Sequence, residues 1–150
     1  MYNRDVTATD DMLKLENQLC FALVTAARNV VAIYRPILEP LGLTHPQYLV
    51  MLALWERSPR SLNDLAADLA LDPATASPLV KRLEKEGLIA RERSSADERR
   101  LDIRLTEAGA SLRERAIDVP RQVMEAVHMD IDQVAALRDG LSPFAGRVAV

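Results

Sequence analysis

Apolar residues recur at helical spacing toward both ends of the chain. Near the N-terminus they stand three, four or seven residues apart along one stripe until Pro36 interferes. The members of this stripe are Leu13, Cys20, Val24, Ala27, Val31 and Tyr34. The pattern predicts one long helix over residues 11–38, preceded by a polar, frayed segment at residues 1–10.

A second helical stripe begins after Thr106, a good N-cap residue, and contains Pro120. A proline inside a helix removes one hydrogen bond and clashes with the preceding turn, so we expect a kink there. Asp130 then opens a further helix. Residues 107–150 are therefore predicted to form apolar-faced helices like residues 11–38.

Three shorter helices are predicted in the middle of the chain. Thr44 and Pro46 suit the start of the first, which is rich in apolar residues and is expected to be buried. Ser61 can cap the second, while Asp72 and Pro73 can open the third. The second and third helices together predict a helix-turn-helix.

The third of these helices has one apolar and one polar face, and Gly87 can end it in the left-handed conformation. The residues predicted to pack inward are Ala76, Leu79, Val80 and Leu83. The polar face is then a short, partly basic surface that is available to a partner.

After Gly87 the apolar period changes from helical to alternating, on both sides of a polar turn at residues 94–99. The alternating positions are Ile89, Arg91 and Arg93 before the turn and Leu101, Ile103 and Leu105 after it. This predicts a two-stranded hairpin, or wing. The fold class is therefore mainly α with a small β part (α+β): a winged helix-turn-helix at residues 46–106, flanked by N- and C-terminal dimerisation helices.

A polar helix followed by an arginine-tipped hairpin suits double-stranded DNA, because phosphates attract cations and base edges accept short polar side chains. We expect the helix to enter the major groove and the hairpin tip to enter the flanking minor groove. The candidate DNA-binding residues are Thr75, Ser77, Lys81, Arg82, Arg99 and, less centrally, Arg100. Lys85 is expected to pair with Glu84 or Glu86 instead.

The overall charge of the chain neither supports nor excludes DNA binding by itself. The chain of 150 residues carries a net charge of −3, and residues 71–106 contain eight Lys or Arg against seven Asp or Glu. Any DNA contact must therefore depend on where the cations lie rather than on their number. The length fits a single chain unit over residues 1–150.

Composition also excludes several classes of site and location. Cys20 is the only cysteine, which rules out an intrachain disulfide and a cysteine-cluster zinc site. Two distant histidines and five scattered glycines make neither a metal site nor a nucleotide loop, so no cofactor is expected. No apolar run approaches the roughly 18 residues of a membrane span, and the start lacks a leader pattern, so a cytoplasmic protein without a membrane partner is expected.

The terminal helices have too little to pack against within one chain. We therefore expect a homodimer with two-fold symmetry, which would place two reading helices about one DNA turn, roughly 34 Å, apart. Such a dimer would bind a pseudo-palindromic operator.

The sequence resembles the MarR family of bacterial winged-helix repressors and, within it, the OhrR group of organic-hydroperoxide sensors. The wing and cap segments, Asp-Glu-Arg at residues 97–99 and Leu-Thr-Glu-Ala-Gly at residues 105–109, are common to MarR proteins. Pro-Gln-Tyr at residues 46–48 adds to the match, and Leu-Glu-Asn-Gln-Leu-Cys at residues 15–20 is specific to the peroxide-sensing group. The resemblance implies a non-enzymatic repressor that releases its operator when organic hydroperoxide oxidises Cys20.

The resemblance also implies which residues support the reactive thiolate. Tyr34 lies 14 residues after Cys20, about 21 Å along a straight helix, so it cannot reach the thiol of its own chain. In the family this tyrosine comes from the partner subunit. With no second cysteine, the protein would be a one-Cys sensor that needs a small thiol to cap its sulfenic acid.

The chain departs from the OhrR pattern at three places. Val24 and His45 stand where family members usually have tyrosines, which thins the support of the thiolate, although His45 can still donate a hydrogen bond. The reading helix begins Pro-Ala-Thr at residues 73–75 where Ser-Gly-Thr is usual, so operator preference can differ.

Two other functions compete with this interpretation. One is a MarR-type repressor released by a phenolic or carboxylate effector, with Cys20 a structural residue of an apolar stripe. The other is a thiol peroxidase, which is disfavoured because the Pro, Thr and Arg pattern of those enzymes does not surround Cys20.

Overall fold

The computed structural model describes residues 5–146, and the side chains from residue 9 onward. Within that range the chain is mainly helical and includes one small antiparallel sheet, as the sequence predicted. The helices are α1 (Asp5–Met12), α2 (Leu19–Leu38), α3 (His45–Glu56), α4 (Leu62–Asp68), α5 (Pro73–Lys85), α6 (Glu107–Ala116), α7 (Val119–Val127) and α8 (Ile131–Gly140). The strands are β1 (Arg60–Ser61), β2 (Ile89–Arg93) and β3 (Leu101–Leu105).

The predicted continuous helix over residues 11–38 is wrong at its N-terminal end. A helix already begins at Asp5 and stops at Met12, and a 3-10 turn intervenes before α2. At the break, Gln18 Nε2 donates to the carbonyls of Met12 (2.7 Å) and Lys14 (2.8 Å). These side-chain hydrogen bonds stabilise a non-helical turn between α1 and α2.

Helix α2 continues past Pro36 and ends at Leu38, which confirms the predicted C-terminal boundary of this helix. By length and composition the stretch Leu19–Leu41 could cross a membrane, although almost none of it is buried within the chain. One such helix is weak evidence for a membrane span, because the core helix of a soluble protein meets the same criteria.

Two of the three caps predicted in the middle of the chain are confirmed by side-chain hydrogen bonds, whereas Asp72 occupies the N-cap position of α5 without a capping side-chain hydrogen bond. Thr44 and Gln47 form a reciprocal capping box at the start of α3, and Ser61 Oγ accepts from the backbone N–H of Asp64 at the start of α4. Gly87 follows α5 with a φ of 78°, in the left-handed region. Helix α3 supplies much of the core, which includes Leu38, Tyr48, Met51, Leu54, Leu65, Leu83, Ile89 and Ile103.

The predicted two-stranded wing is confirmed, and a short third strand, β1, which the sequence did not predict, completes the sheet. Strands β2 and β3 pair antiparallel with Arg91 opposite Ile103, and β1 pairs on the other edge of β3 with Arg60 opposite Ile103. The sequence predicted no strand around Arg60. The pairing of β1 depends on a strand some 40 residues later, which no local pattern reveals.

The predicted kink at Pro120 is wrong, because Pro120 does not lie inside a long C-terminal helix but in the first turn of a new one. Helix α6 ends at Ala116, and Pro120 lies in the first turn of α7, where its missing N–H removes no helical hydrogen bond. The predicted caps on either side are confirmed, since Thr106 accepts from Gly109 and Asp130 forms a capping box with Gln133.

Many large apolar side chains of the terminal segments remain exposed in the single chain. They include Leu13, Leu15, Leu19, Phe21, Val24, Val30 and Val31 at the N-terminal end and Ile117, Ile131, Leu137, Leu141 and Phe144 at the C-terminal end. An apolar surface of this extent marks an interaction face. Residues 147–150 of the predicted C-terminal helical region lie outside the described residues.

Candidate nucleic-acid interface and thiol site

The polar face of α5 is fixed by three buried residues on its opposite side. Ala76, Val80 and Leu83 are nearly inaccessible, which orients the helix against the core. The predicted DNA-binding residues lie on the outer faces: Thr75, Lys81 and Arg82 are exposed, and Ser77 is half-buried. The structure therefore leaves these four side chains accessible, with Ser77 at the edge of the surface.

The cations of α5 are not neutralised by their own helix. Glu84 instead binds Arg91 of β2 through both carboxylate oxygens, at 3.0 Å each. Hydrogen bonding from Arg91 lowers the pKa of Glu84, so this pair stays charged. The predicted pairing of Lys85 is wrong for the described residues: Lys85 is exposed and forms no ion pair there.

The two arginines of the wing tip differ in their surroundings. Arg99 is exposed, and among the described residues only its backbone is engaged, through the N–H that donates to Asp97 Oδ1 at 3.0 Å. The guanidinium of Arg100 instead binds Asp64 of α4 at 3.0 Å and lies 3.5 Å from Asp102. Of the two residues predicted to reach DNA, Arg99 therefore has the more available side chain.

Cys20 lies in the first turn of α2 and is exposed in the single chain. Tyr34 belongs to the same helix, about four turns further on. Within one chain, the Cys20 thiol and the Tyr34 side chain therefore lie too far apart to contact each other.

The two predicted thiolate-supporting residues do lie together. The rings of Tyr34 and His45 meet edge to face with centroids 4.9 Å apart, and Tyr48 lies 5.9 Å from Tyr34. Burial raises the pKa of Tyr34 and lowers the pKa of His45. At neutral pH both are therefore uncharged groups that can each donate one hydrogen bond.

An open cleft of about 630 Å³ is lined by residues of α2, of the α2–α3 junction and of the C-terminal part of α5. His45, Gln47 and Arg82 all line it, so one of the two predicted thiolate-supporting residues and the reading helix border the same space. The buried Nε2 of Gln47 has no hydrogen-bond partner among the described residues. Because Arg82 lines this cleft, its exposed side chain lies between the α2–α3 junction and the outer face of α5.

Arg60 is the main site-positioning residue that the sequence did not reveal. Its side chain is 2% exposed and binds Asp68 of α4 and, at 3.3 Å, the carbonyl of Ala53. Through this buried contact with Asp68, Arg60 connects β1 to α4 of the helix-turn-helix. Neither its neighbours nor its spacing distinguish it from a surface arginine in a loop.

No group of three or more His, Cys, Asp or Glu side chains in residues 5–146 is arranged to hold a metal ion.

The sequence profile of the transcriptional regulator SarA/Rot family matches residues 32–115. The chain is 41% identical over 131 residues to the organic hydroperoxide resistance transcriptional regulator of Bacillus subtilis, covering 87% of this chain and 89% of the relative. It is 38% identical over 128 residues to the regulator MgrA of Staphylococcus aureus, covering 85% and 87% of the two chains.

Solved structures show the same relationship. Reduced AbfR bound to DNA superposes with a TM-score of 0.73 at 33% identity, over 91% of this chain and 95% of that one. Overoxidised AbfR bound to DNA gives 0.72 at the same identity, over 91% and 96%. AbfR is a protein of Staphylococcus epidermidis.

Proposed function

This chain belongs to the MarR/SarA-type family of winged-helix, DNA-binding transcriptional regulators, and we propose that it is a homodimeric repressor that oxidation of Cys20 releases from its operator. Its location would be the cytoplasm, where the DNA lies. The signal would be an organic hydroperoxide, and a small thiol would complete the reaction.

The exposed apolar side chains of α2 and α8 support the dimer. Leu19, Val24 and Leu137 are each more than two-fifths exposed in one chain, which is unfavourable for large apolar side chains. A second copy would cover them and set the distance between the two α5 helices. The operator would then be a pseudo-palindrome with half-sites about one DNA turn apart.

On the DNA, the outer face of α5 would enter the major groove. Thr75 and Ser77 would contact base edges, and Lys81 and Arg82 would contact bases or phosphates. Arg99 would enter the flanking minor groove, where negative potential is deepest in narrow A·T tracts. The exposure of Thr75, Lys81, Arg82 and Arg99, and the absence of ion pairs to these cations among the described residues, support these assignments, and Ser77 lies at the edge of the same surface.

The proposed switch is an oxidation of the Cys20 thiolate. The sulfur attacks one peroxide oxygen, an S–O bond forms, the O–O bond breaks, and the alkoxide takes a proton and leaves as an alcohol. The sulfenic acid then reacts with a small thiol, giving a mixed disulfide and water. The bulk added at the dimer face would change the spacing of the two α5 helices.

The observation that supports this proposal most strongly is the position of Cys20. It is an exposed thiol at the start of the helix whose apolar face needs a second copy. Tyr34 and His45 of that second copy would supply the donors that a thiolate needs. The relative in Bacillus subtilis, named for organic hydroperoxide resistance, supports the choice of signal.

A mixed-dimer experiment tests whether the thiolate support comes from the other subunit. Chains carrying Cys20→Ser are mixed with chains carrying Tyr34→Phe, so that each mixed dimer keeps one Cys20 opposite one Tyr34. Trapping of the sulfenic acid by a cyclic dione, followed by mass spectrometry, measures the rate at Cys20. We expect a rate per remaining cysteine close to that of wild type.

The matched control places both substitutions on one chain and mixes it with wild type. The remaining Cys20 then faces Phe at position 34, and its rate should be as low as in the Tyr34→Phe homodimer. If this control reacts at the wild-type rate while the first mixture is slow, support across the dimer is refuted.

A further inference from the structure

Arg100 closes the wing with its backbone. Its N–H donates to the carbonyl of Asp97 at 2.9 Å, and its carbonyl accepts from the N–H of Ser94 at 2.8 Å. These two bonds define the turn that presents Arg99. The side chain of Arg100 therefore starts from the point where the wing tip meets strand β3.

That side chain crosses from the wing to the helix-turn-helix. Its Nη2 lies 3.0 Å from Asp64 Oδ2, and its Nε lies 3.5 Å from Asp102 Oδ1. Asp64 is itself fixed, because its backbone N–H donates to the Ser61 hydroxyl that caps α4. One guanidinium thus links β3 to the helix immediately before the reading helix.

The geometry points to a positioning role: we propose that the Arg100–Asp64 pair sets the angle of the wing tip relative to α4 and α5, and that Arg100 is not itself a DNA contact. Both carboxylates that face the guanidinium already neutralise it, so it has little charge left for a phosphate. The neighbouring Arg99 has no such partner among the described residues. The inference depends on the proposed placement of the wing on DNA.

The sign of the Asp64→Asn effect is diagnostic. Removing a negative charge near DNA should by itself strengthen binding to the polyanion. If Asp64 holds the wing in position, Asp64→Asn instead weakens operator binding. Because both side chains are about half exposed, we expect a loss of about two- to five-fold.

The experiment measures operator affinity of the reduced dimer for wild type, Asp64→Asn, Arg100→Gln and the double variant, at several salt concentrations. We expect the double variant to bind no more weakly than Arg100→Gln, because both substitutions break one interaction. The slope of log affinity against log salt should stay unchanged in Arg100→Gln. Glu98→Gln, a wing carboxylate with no ion pair among the described residues, should bind as tightly as wild type or more tightly.

Three results would overturn the proposal: unchanged or tighter binding by Asp64→Asn, additive losses in the double variant, or a salt slope reduced by about 0.9 in Arg100→Gln, which marks a lost phosphate contact. A DNA-free measurement keeps this test separate from the proposed function. Amide exchange at Ser94 and Arg100 should become faster in Asp64→Asn and Arg100→Gln but not in Glu98→Gln. Failure of the peroxide response would leave these results unaffected.

Discussion

Replacement of Gly109 by alanine tests how the wing is attached to the C-terminal helices. A Cβ at Gly109 would lie 2.0 Å from the carbonyl oxygen of Leu88, whereas ordinary contacts begin near 3.4 Å. That carbonyl accepts the N–H of Thr106 at 3.1 Å, and the Gly109 carbonyl accepts Trp55 Nε1 at 2.9 Å. The substitution therefore has to separate backbone from backbone at the junction of β2 and α6.

The size of the effect follows from three contributions. Overpacking costs about 1–3 kcal/mol, here toward the upper end because the obstacle is backbone. Loss of the Thr106 hydrogen bond costs about 1 kcal/mol, and the better helix propensity of alanine returns about 1 kcal/mol. We expect a net destabilisation of about 2–3 kcal/mol, or a fall in Tm of about 5–10 °C.

Thermal unfolding followed by circular dichroism, at one fixed protein concentration, measures this change. Gly140→Ala is the matched control, because Gly140 ends α8 and a Cβ there has no neighbour within 4 Å. It should leave Tm unchanged or raise it slightly. A Tm for Gly109→Ala equal to or above that of wild type would refute the close approach of α6 to Leu88.

Three further predictions concern the site. Arg99→Ala should weaken operator binding by about five-fold to about 150-fold, since a specific arginine contact contributes about 1–3 kcal/mol. Arg138→Ala is the charge-matched control, and equal affinity of both variants in an anisotropy titration would remove the wing from the interface. Val24→Asp should give a monomer by light scattering that binds operator poorly, because a carboxylate would be buried in the apolar face; a stable dimer would contradict the proposed interface. Lowering the pH from about 7.5 to about 5.5 should reduce the free energy of unfolding more in wild type than in His45→Phe. Burial holds the pKa of folded His45 below its ordinary value, so the unfolded chain takes up the proton first. Denaturant titration at each pH measures the free energy, and equal losses in both proteins would contradict the prediction.

The elements that the sequence predicted correctly are those specified locally. Thr44, Thr106 and Asp130 cap helices because each side chain bonds a backbone N–H three residues later. Gly87 ends α5 because it can adopt a positive φ. The wing was predictable as well, since alternation and a polar turn lie within one short stretch.

The errors arise where distant or competing contacts decide. Strand β1 exists only because β3 lies beside it, and Arg60 is buried only because Asp68 and α3 surround it. The break before α2 is accompanied by hydrogen bonds from the Gln18 amide to the carbonyls of Met12 and Lys14, which apolar spacing does not reveal. The restriction that Pro120 places on a helix was recognised, but Pro120 lies in the first turn of α7 and not in the interior of a longer helix.

In the site, the sequence predicted residue types better than residue partners. The exposure of Thr75, Lys81 and Arg82 follows from helical periodicity and was predictable. The engagement of Arg100 by Asp64 was not, because 36 residues separate them and either could face solvent. Pairing choices among exposed charges are decided by tertiary geometry, which periodicity does not contain.

The central claim is that oxidation of Cys20 releases DNA, and one titration tests it most directly. Operator complexes of wild type and of Cys20→Ser are treated with an organic hydroperoxide and a small thiol, and the bound fraction is followed by fluorescence anisotropy. The account predicts release from wild type, retention by Cys20→Ser, and recovery of wild-type binding after reduction. Equal release from both proteins, or retention by both, would contradict it.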